Sequence, residues 1–348
     1  MKLINKNVHN IFDLVQNEMQ NPEPVELWRG IIEDTFGLIA GVGKTGKTTM
    51  AENLALSFAC GRREFMGHPI SGGAKKILFL NMEENGRLRH RRMFKQFSVL
   101  SDAEKELIKQ NYFTNTDEDF PEFLNTDNDW EIVKKAIDDS PAKIIFLDSI
   151  THMVIGDIEK SSVSQAYIQK LKKYVLREGK TFIFIHHNVK GNNKPIDRYC
   201  IAGSRVITQS FQWAIGLSEI PTRSGGNYGC ILFHKLIEAD SNDAFLYKQN
   251  KNRWLEVTGS KNKFDLYKEE RQKSDGRRNS NVDPLVYDYF QNQSIQGIQT
   301  IMWAELKEEF VANNVCSTDT LNKSCKRLMK QGVLTKPEKG IYQWVAND

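Results

Sequence analysis

Leu38-Ile39-Ala40-Gly41-Val42-Gly43-Lys44-Thr45-Gly46-Lys47-Thr48-Thr49 decides the fold. An apolar run that reads as a strand enters a glycine-rich loop, and a helix over Met50–Cys60 leaves it. Gly41, Gly46, Lys47 and Thr48 satisfy G-x-x-x-x-G-K-[ST] without a mismatch. In that pattern the backbone amides of Gly41, Val42, Gly43, Lys44, Thr45, Gly46, Lys47, Thr48 and Thr49 curl around phosphates. The partial positive charge of the helix N-terminus adds to their hold. Lys47 reaches the β- and γ-phosphates, and the Thr48 hydroxyl takes a place on Mg²⁺. A chance glycine turn is the competing explanation, and the strand–loop–helix setting argues against it. The stretch therefore predicts a nucleoside triphosphate site.

Working outward, short apolar runs recur at Phe36–Ala40, Ile77–Met82, Ile144–Leu147, Phe182–Ile185, Trp213–Leu217 and Cys230–Phe233. Each is continuous and rich in Ile, Leu and Phe, as strands covered on both faces are. Helical patterns fill the gaps at Thr49–Cys60, Arg87–Phe97, Ala103–Lys109, Asp129–Asp138 and Val163–Arg177. Alternation of this kind marks an α/β domain with a mainly parallel, doubly wound sheet. From Trp213 on the strands follow one another closely, which predicts an antiparallel edge, with a hairpin turn at Gly225-Gly226-Asn227.

The reading divides the chain into an N-terminal arm (1–26), an ATPase-type α/β domain (27–258), a basic linker (259–281) and a small domain (282–348). The arm either packs on a neighbouring subunit or forms a frayed lead-in. In the small domain, helices at Pro284–Gln291, Met302–Ala312 and Thr318–Gln331 precede a hairpin at Val333–Val345, turning at Glu338-Lys339-Gly340. Three helices and a hairpin are the pattern of a winged helix.

Composition sets limits. The chain has 348 residues and a net charge of only +4, so any nucleic-acid surface must be local. Five scattered cysteines, with no C-x-x-C pair, argue against a disulfide framework or a zinc site and fit a reducing cytoplasm. Met1–Asn7 lack the apolar run of a signal peptide and no segment approaches a membrane-length apolar run, so no membrane partner is expected.

Three strand ends carry candidate chemistry. Phe79-Leu80-Asn81-Met82-Glu83-Glu84 closes a strand with two carboxylates at the edge where α/β sheets bind ligands. Glu83 is the better candidate for the base that orients the attacking water, and Glu84 the second. Lys143-Ile144-Ile145-Phe146-Leu147-Asp148-Ser149 has the Walker B form, with Asp148 on Mg²⁺. Because Ser149 follows, a catalytic glutamate directly after that aspartate is excluded, which strengthens Glu83. Phe182-Ile183-Phe184-Ile185-His186-His187 ends in two histidines that point to opposite faces. His187 is the candidate γ-phosphate sensor. Ile70-Ser71-Gly72-Gly73 has the SGG of the ABC-ATPase signature, but it sits too early in the chain, where a tight turn explains it.

Taken together, these residues resemble the RecA-type ATPases of the RepA-like branch, which includes hexameric plasmid helicases and ATPases of phages and mobilisable transposons. Leu27-Trp28-Arg29-Gly30, the loop Gly41–Thr48, Ala59-Cys60-Gly61, Phe65-Met66-Gly67, the Glu83 and Asp148 strands, His186-His187 with Lys190, and Gly203-Ser204 carry the likeness, over about residues 27–257. It implies a RecA-like fold, ATP and Mg²⁺, and catalytic roles for Lys47, Glu83 and His187. Arg92 is placed beside the nucleotide; a solvated face of Arg87, Arg89, Arg91 and Arg92 is the alternative. The family's ring form implies a homo-oligomer, a hexamer, whose neighbouring subunit supplies an arginine finger. The family often has an arginine before its Trp, where this chain has Gln212-Trp213; Arg205 or Lys235 stands in.

Such rings grip single-stranded DNA with the loops after the Walker B and His strands, here Thr151–Ser162 and Asn188–Ala202. Lys190, Lys194 and Arg198, with Tyr199, suit a single-strand groove. In the third C-terminal helix, Lys323, Lys326, Arg327 and Lys330 share one face, opposite Leu321, Cys325, Leu328 and Met329. An apolar back with a basic front fits a recognition helix in a duplex groove, with Lys336 and Lys339 adding phosphate contacts; many winged helices bind proteins instead. The expectation is an oligomeric DNA-dependent ATPase, a helicase or motor of a mobile element. A recombination mediator or an ATP-gated DNA-binding scaffold is the alternative.

Overall fold

The computed structural model describes residues 10–116, 120–188, 194–203, 205–220, 226–267, 282–313 and 315–345. The chain divides into two compact units, 1–267 and 268–348.

In the large unit, α1 (Ile11–Glu18) precedes two short hairpins, β1 (Glu26–Trp28) with β2 (Ile31–Ile32) and β4 (Glu64–Phe65) with β5 (His68–Pro69). A nine-stranded sheet forms the body. Its strands are β3 (Phe36–Gly41), β6 (Ile77–Asn81), β7 (Tyr112–Thr114), β8 (Ile144–Asp148), β9 (Thr181–His187), β10 (Trp213–Glu219), β11 (Asn227–His234), β12 (Asp243–Gln249) and β13 (Leu255–Asn262). They run β13-β12-β11-β10-β3-β9-β8-β6-β7. From β10 to β7 every neighbouring pair is parallel; β10 to β13 are antiparallel. This is a RecA-like α/β fold with the antiparallel edge that the sequence predicts.

Burial explains the order. Every residue of β3, β6 and β8 is buried, as is all of β9 but its last. Both faces are covered, so these strands sit centrally. On one face lie α2 (Lys47–Ala59), α3 (Gly86–Phe97) and α4 (Asp102–Asn111), packing Leu54, Phe58, Met93 and Ile108 against Ile39, Phe79 and Phe146. On the other lie α5 (Asp127–Asp139), α6 (Ser161–Glu178) and the short α7 (Arg205–Ser210), packing Trp130, Tyr167 and Ile207 against Leu38, Leu147 and Phe184. Local chemistry starts these helices. Asn85 caps α3, and Ser101 with Glu104, and Thr126 with Asp129, close capping boxes on α4 and α5.

The parallel register aligns the strand ends. Gly41 pairs with His187, Asp148 with Ile185 and Asn81 with Asp148. The phosphate loop, Glu83, Asp148 and His187 therefore emerge along one edge.

The small unit has its own core, built on Val286, Phe290, Leu306, Leu321, Cys325 and Leu328. It contains α8 (Asp283–Ile295), β14 (Thr300–Met302), α9 (Trp303–Lys307) with a π turn at Glu308–Ala312, α10 (Thr318–Lys330), β15 (Leu334–Glu338) and β16 (Ile341–Trp344). Two details differ from the sequence reading. Met302, read as helical, ends a strand that pairs with β16, and the following helix changes pitch at Glu308. The basic stretch read as a linker from residue 259 begins inside β13, where Lys261 pairs with Ala244 and Lys263 is buried with its Nζ on the Ile196 carbonyl. Of the expected β10–β11 turn, Gly225 lies outside the described residues; Ile220 donates to the Gly226 carbonyl at its base. Among the described residues no helix is long and apolar enough to cross a membrane.

Candidate nucleotide site

The phosphate loop leaves β3 at Gly41. A Cβ there would lie 2.6 Å from the Leu217 carbonyl of β10 and 2.8 Å from Thr45 Oγ1, so glycine lets the strand pass close to its neighbour. Gly46, the N-cap of α2, has φ +86°, a backbone region that glycine occupies without strain. Thr45 Oγ1 and Lys47 Nζ both donate to the Val42 carbonyl, at 2.9 and 3.0 Å, closing the loop on itself. From the antiparallel edge the buried Tyr247 donates its hydroxyl to the Thr45 carbonyl at 2.7 Å. Sequence reasoning missed this brace, because Tyr247 lies 202 residues away in a strand with no phosphate motif.

Thr48 Oγ1 donates to Asp148 Oδ2 at 2.7 Å, joining the first turn of α2 to the end of β8. Asp148 is fully buried, and its Oδ1 is without a hydrogen-bond partner. Burial drives its carboxyl up to about 7 against the Thr48 hydrogen bond, and the charges of Glu83 and Glu52 push the same way. Burial also lowers Lys47, opposed by Asp148 and Glu83. A hydroxyl paired with a buried carboxylate whose second oxygen is free is a donor set that fits Mg²⁺.

Glu83 and His187 face each other across β8. His187 Nε2 lies 3.7 Å from Glu83 Oε1, and both side chains are partly exposed. The facing His187 ring, outweighing the cost of burial, holds the Glu83 carboxyl below its ordinary value. His186 has a different environment. It is buried, its Nε2 donates to the Ala202 carbonyl at 2.8 Å, and burial lowers it to about 4, so the ring is neutral. It ties β9 to the far end of the loop that follows.

The loop holding Glu83 is tethered by residues that the sequence did not flag. Asn115 accepts from the Asn81 amide and donates to its carbonyl, both at 2.9 Å. Asn81 Nδ2 donates to the Glu84 carbonyl, and the Met82 amide to that of Asp148. His152, stacked on Phe123, puts Nδ1 3.1 Å from the carbonyls of Met82 and Glu122.

The other sequence candidates fall elsewhere. Arg92 is held by carboxylates, with Glu52 at 2.6 and 3.2 Å and Glu84 at 2.6 Å. Neither the nucleotide placement nor the solvated-face alternative anticipates this. Arg89, read as part of that face, is only 2% exposed. Arg205 begins α7 and is exposed. Gln212, in the place of the family's arginine, accepts from the Phe36 amide through Oε1 at 3.1 Å, at the opposite end of β3 from the phosphate loop. Lys190 and Ser204 lie outside the described residues; Lys194 and Arg198 are exposed, and the Arg198 guanidinium lies 5.3 Å from the Tyr199 ring centre. In α10, Lys323 pairs with Asp319, Arg327 makes two 2.7 Å bonds to Asp283, and Lys326 and Lys330 are exposed.

The sequence matches the AAA domain family over residues 9–193, more than half of the chain. A solved KaiC-like protein from the hyperthermophilic archaea Pyrococcus horikoshii OT3 is similar over 67% of this chain and 94% of its own, with 20% identity and a TM-score of 0.47. A search of curated proteins finds no match. The matched span contains the phosphate loop, Glu83, Asp148 and His187, and the chain belongs to the AAA domain family, as a P-loop ATPase.

Proposed function

We propose that the protein is an oligomeric, DNA-dependent ATPase, a helicase-like motor of the RepA-like branch that serves a mobile element. One observation carries the enzymatic part: Lys47, Thr48, Asp148, Glu83 and His187 gather at one sheet edge, in the order that ATP hydrolysis needs. Lys47 neutralises the β- and γ-phosphates. Thr48 and Asp148 hold Mg²⁺, which supplies charge neutralisation on the phosphate oxygens. Glu83, kept ionised by His187, orients the attacking water. When the γ-phosphate draws His187 away, Glu83 is released toward the water, and β9 passes the change to the loop that follows it.

The DNA part rests on local charge. Exposed Lys194, Arg198 and Tyr199 sit in the loop after β9, and Lys190 belongs to the same segment. The order of three helices with a terminal hairpin, and the exposed lysines of α10, support a DNA-binding winged helix in the small unit. In a homo-oligomer, hexameric by the resemblance, exposed Arg205 is our candidate for the finger offered to a neighbour's γ-phosphate.

A scaffold gated by ATP is the second reading. The commitment of Gln212 to the Phe36 amide favours it, since no arginine stands in that place. Steady-state ATP hydrolysis with and without single-stranded DNA separates the two. Stimulated turnover that Glu83→Gln abolishes supports the motor; no turnover and no effect of Glu83→Gln leave the scaffold. Strand displacement on a forked duplex then divides a helicase from a recombination mediator.

A further inference from the structure

Glu52 is the one acidic residue in α2, a helix buried on almost every side, and is itself fully buried. An unpaired carboxylate there would cost several kcal/mol, so its partners are obligatory. They come from α3. Arg92 grips both carboxylate oxygens, with Nη2 on Oε1 at 2.6 Å and Nε on Oε2 at 3.2 Å, while Gln96 donates to Oε2 at 3.1 Å. Arg89 adds its charge 3.5 Å from Oε1 and is fixed by the Tyr112 hydroxyl and Thr114. Arg92 has one more arm. Its Nη1 reaches Glu84 Oε1 at 2.6 Å.

Glu84 is the residue beside Glu83, in an irregular segment between β6 and α3. A continuous path of side chains therefore links two parts of the site. It runs from the phosphate loop through α2 and Glu52 to Arg92, then through Glu84 to the backbone of Glu83. Both ends of Arg92 are charge-assisted, and its planar fork suits two carboxylates at once. Burial works against the guanidinium's charge, and the bonds from Glu52 and Glu84 outweigh it, so the link stays ionised through the neutral range.

We infer that Arg92 is a positioning residue: clamped between Glu52 of the phosphate-loop helix and Glu84, it fixes the distance from the phosphate loop to the catalytic carboxylate Glu83. The inference rests on the catalytic reading of Glu83. In this arrangement the Arg92 guanidinium is taken up by Glu52 and Glu84, and it acts through the segment that it holds. Displacement of a reacting group by about 1 Å costs on the order of a hundredfold in rate, while ground-state binding, made by the phosphate loop, is untouched.

The experiment measures kcat for ATP hydrolysis and the Kd of a fluorescent ATP analogue on the full chain. Arg92→Ala is expected to lower kcat about 10- to 100-fold with Kd changed less than about threefold. Glu84→Gln, which leaves the Glu52 grip in place, lowers kcat less. The double variant falls no further than Arg92→Ala, because both changes cut the same link. Arg92→Lys recovers little, since an ammonium cannot bridge both carboxylates. A tenfold rise in Kd with kcat intact would make Arg92 a nucleotide ligand and overturn the inference, as would wild-type kcat in both single variants. Should Arg92→Ala fail to fold by circular dichroism, Glu84→Gln alone decides: unchanged kcat overturns it. Glu83→Gln separates the two levels. Full turnover in that variant removes the catalytic reading itself. Loss of turnover there, with Arg92→Ala and Glu84→Gln fully active, removes only the positioning.

Discussion

Asp148 is where burial and metal binding pull one carboxyl in opposite directions. Enclosure raises it to about 7, whereas Mg²⁺ requires the anion. At pH 6 most copies carry a proton that Mg²⁺–ATP must expel; at pH 8 few do. Affinity for Mg²⁺–ATP is therefore expected to rise about tenfold from pH 6 to 8 beyond the nucleotide's own titration. The same titration on Asp148→Asn supplies that baseline, and parallel curves for the two proteins would refute the assignment. Stability runs the other way. A carboxyl whose folded pKa exceeds its unfolded value stabilises the fold below about pH 4, and that contribution is lost as pH climbs toward 7. Without nucleotide, Asp148→Asn should melt higher than the parent at pH 8, by at most about 4 kcal/mol, and the advantage should vanish near pH 4. Lys47, Thr48 and Asp148 were legible because their motifs are local in sequence. The pairing of Glu52 with Arg92 was not: Arg92 was singled out, beside the nucleotide or on a solvated face, but its buried carboxylate partner shows only when the opposing helix is in place.

At the scale of elements, legibility followed burial. The central strands declare themselves by unbroken apolar runs, because both faces are covered. β7 and β14 do not, having only three residues each and deriving their extended form from the neighbour they pair with. The brace on the phosphate loop was equally silent, since it joins β3 to β10 and β12 through contacts that no local pattern encodes. Gly41 gives that brace a test. Gly41→Ala forces the Leu217 carbonyl, 2.6 Å from the new carbon, to move, and β10 with it. Overpacking of this kind costs about 1–3 kcal/mol. Chemical denaturation should show that loss, and equilibrium binding of a fluorescent nucleotide should weaken about tenfold as the loop is pushed off its brace. Unchanged values in both measurements would mean that the strand pair yields freely there.

The molecule as a whole carries too little net charge to hold DNA by bulk attraction, so the proposed DNA contacts must be made by particular side chains. α10 separates structural cations from available ones. Arg327 is committed to Asp283 of α8 in its own unit, and Lys323 to Asp319 one turn away. Lys326 and Lys330 stand exposed on the same face. If α10 lies along a duplex, Lys326→Ala and Lys330→Ala should each reduce the salt dependence of duplex binding by about one phosphate contact, uniformly across sequences. Basal ATP hydrolysis should remain at the parent level, because neither lysine belongs to the nucleotide site. Arg327→Ala should act differently. It removes the two-bond ion pair with Asp283, lowers the melting temperature of the small unit, and weakens DNA binding only in step with unfolding. Fluorescence anisotropy on a labelled duplex across a salt series, read beside thermal melts, distinguishes the two behaviours. Equal salt slopes in parent and lysine variants would remove DNA from this face and leave it to a protein partner.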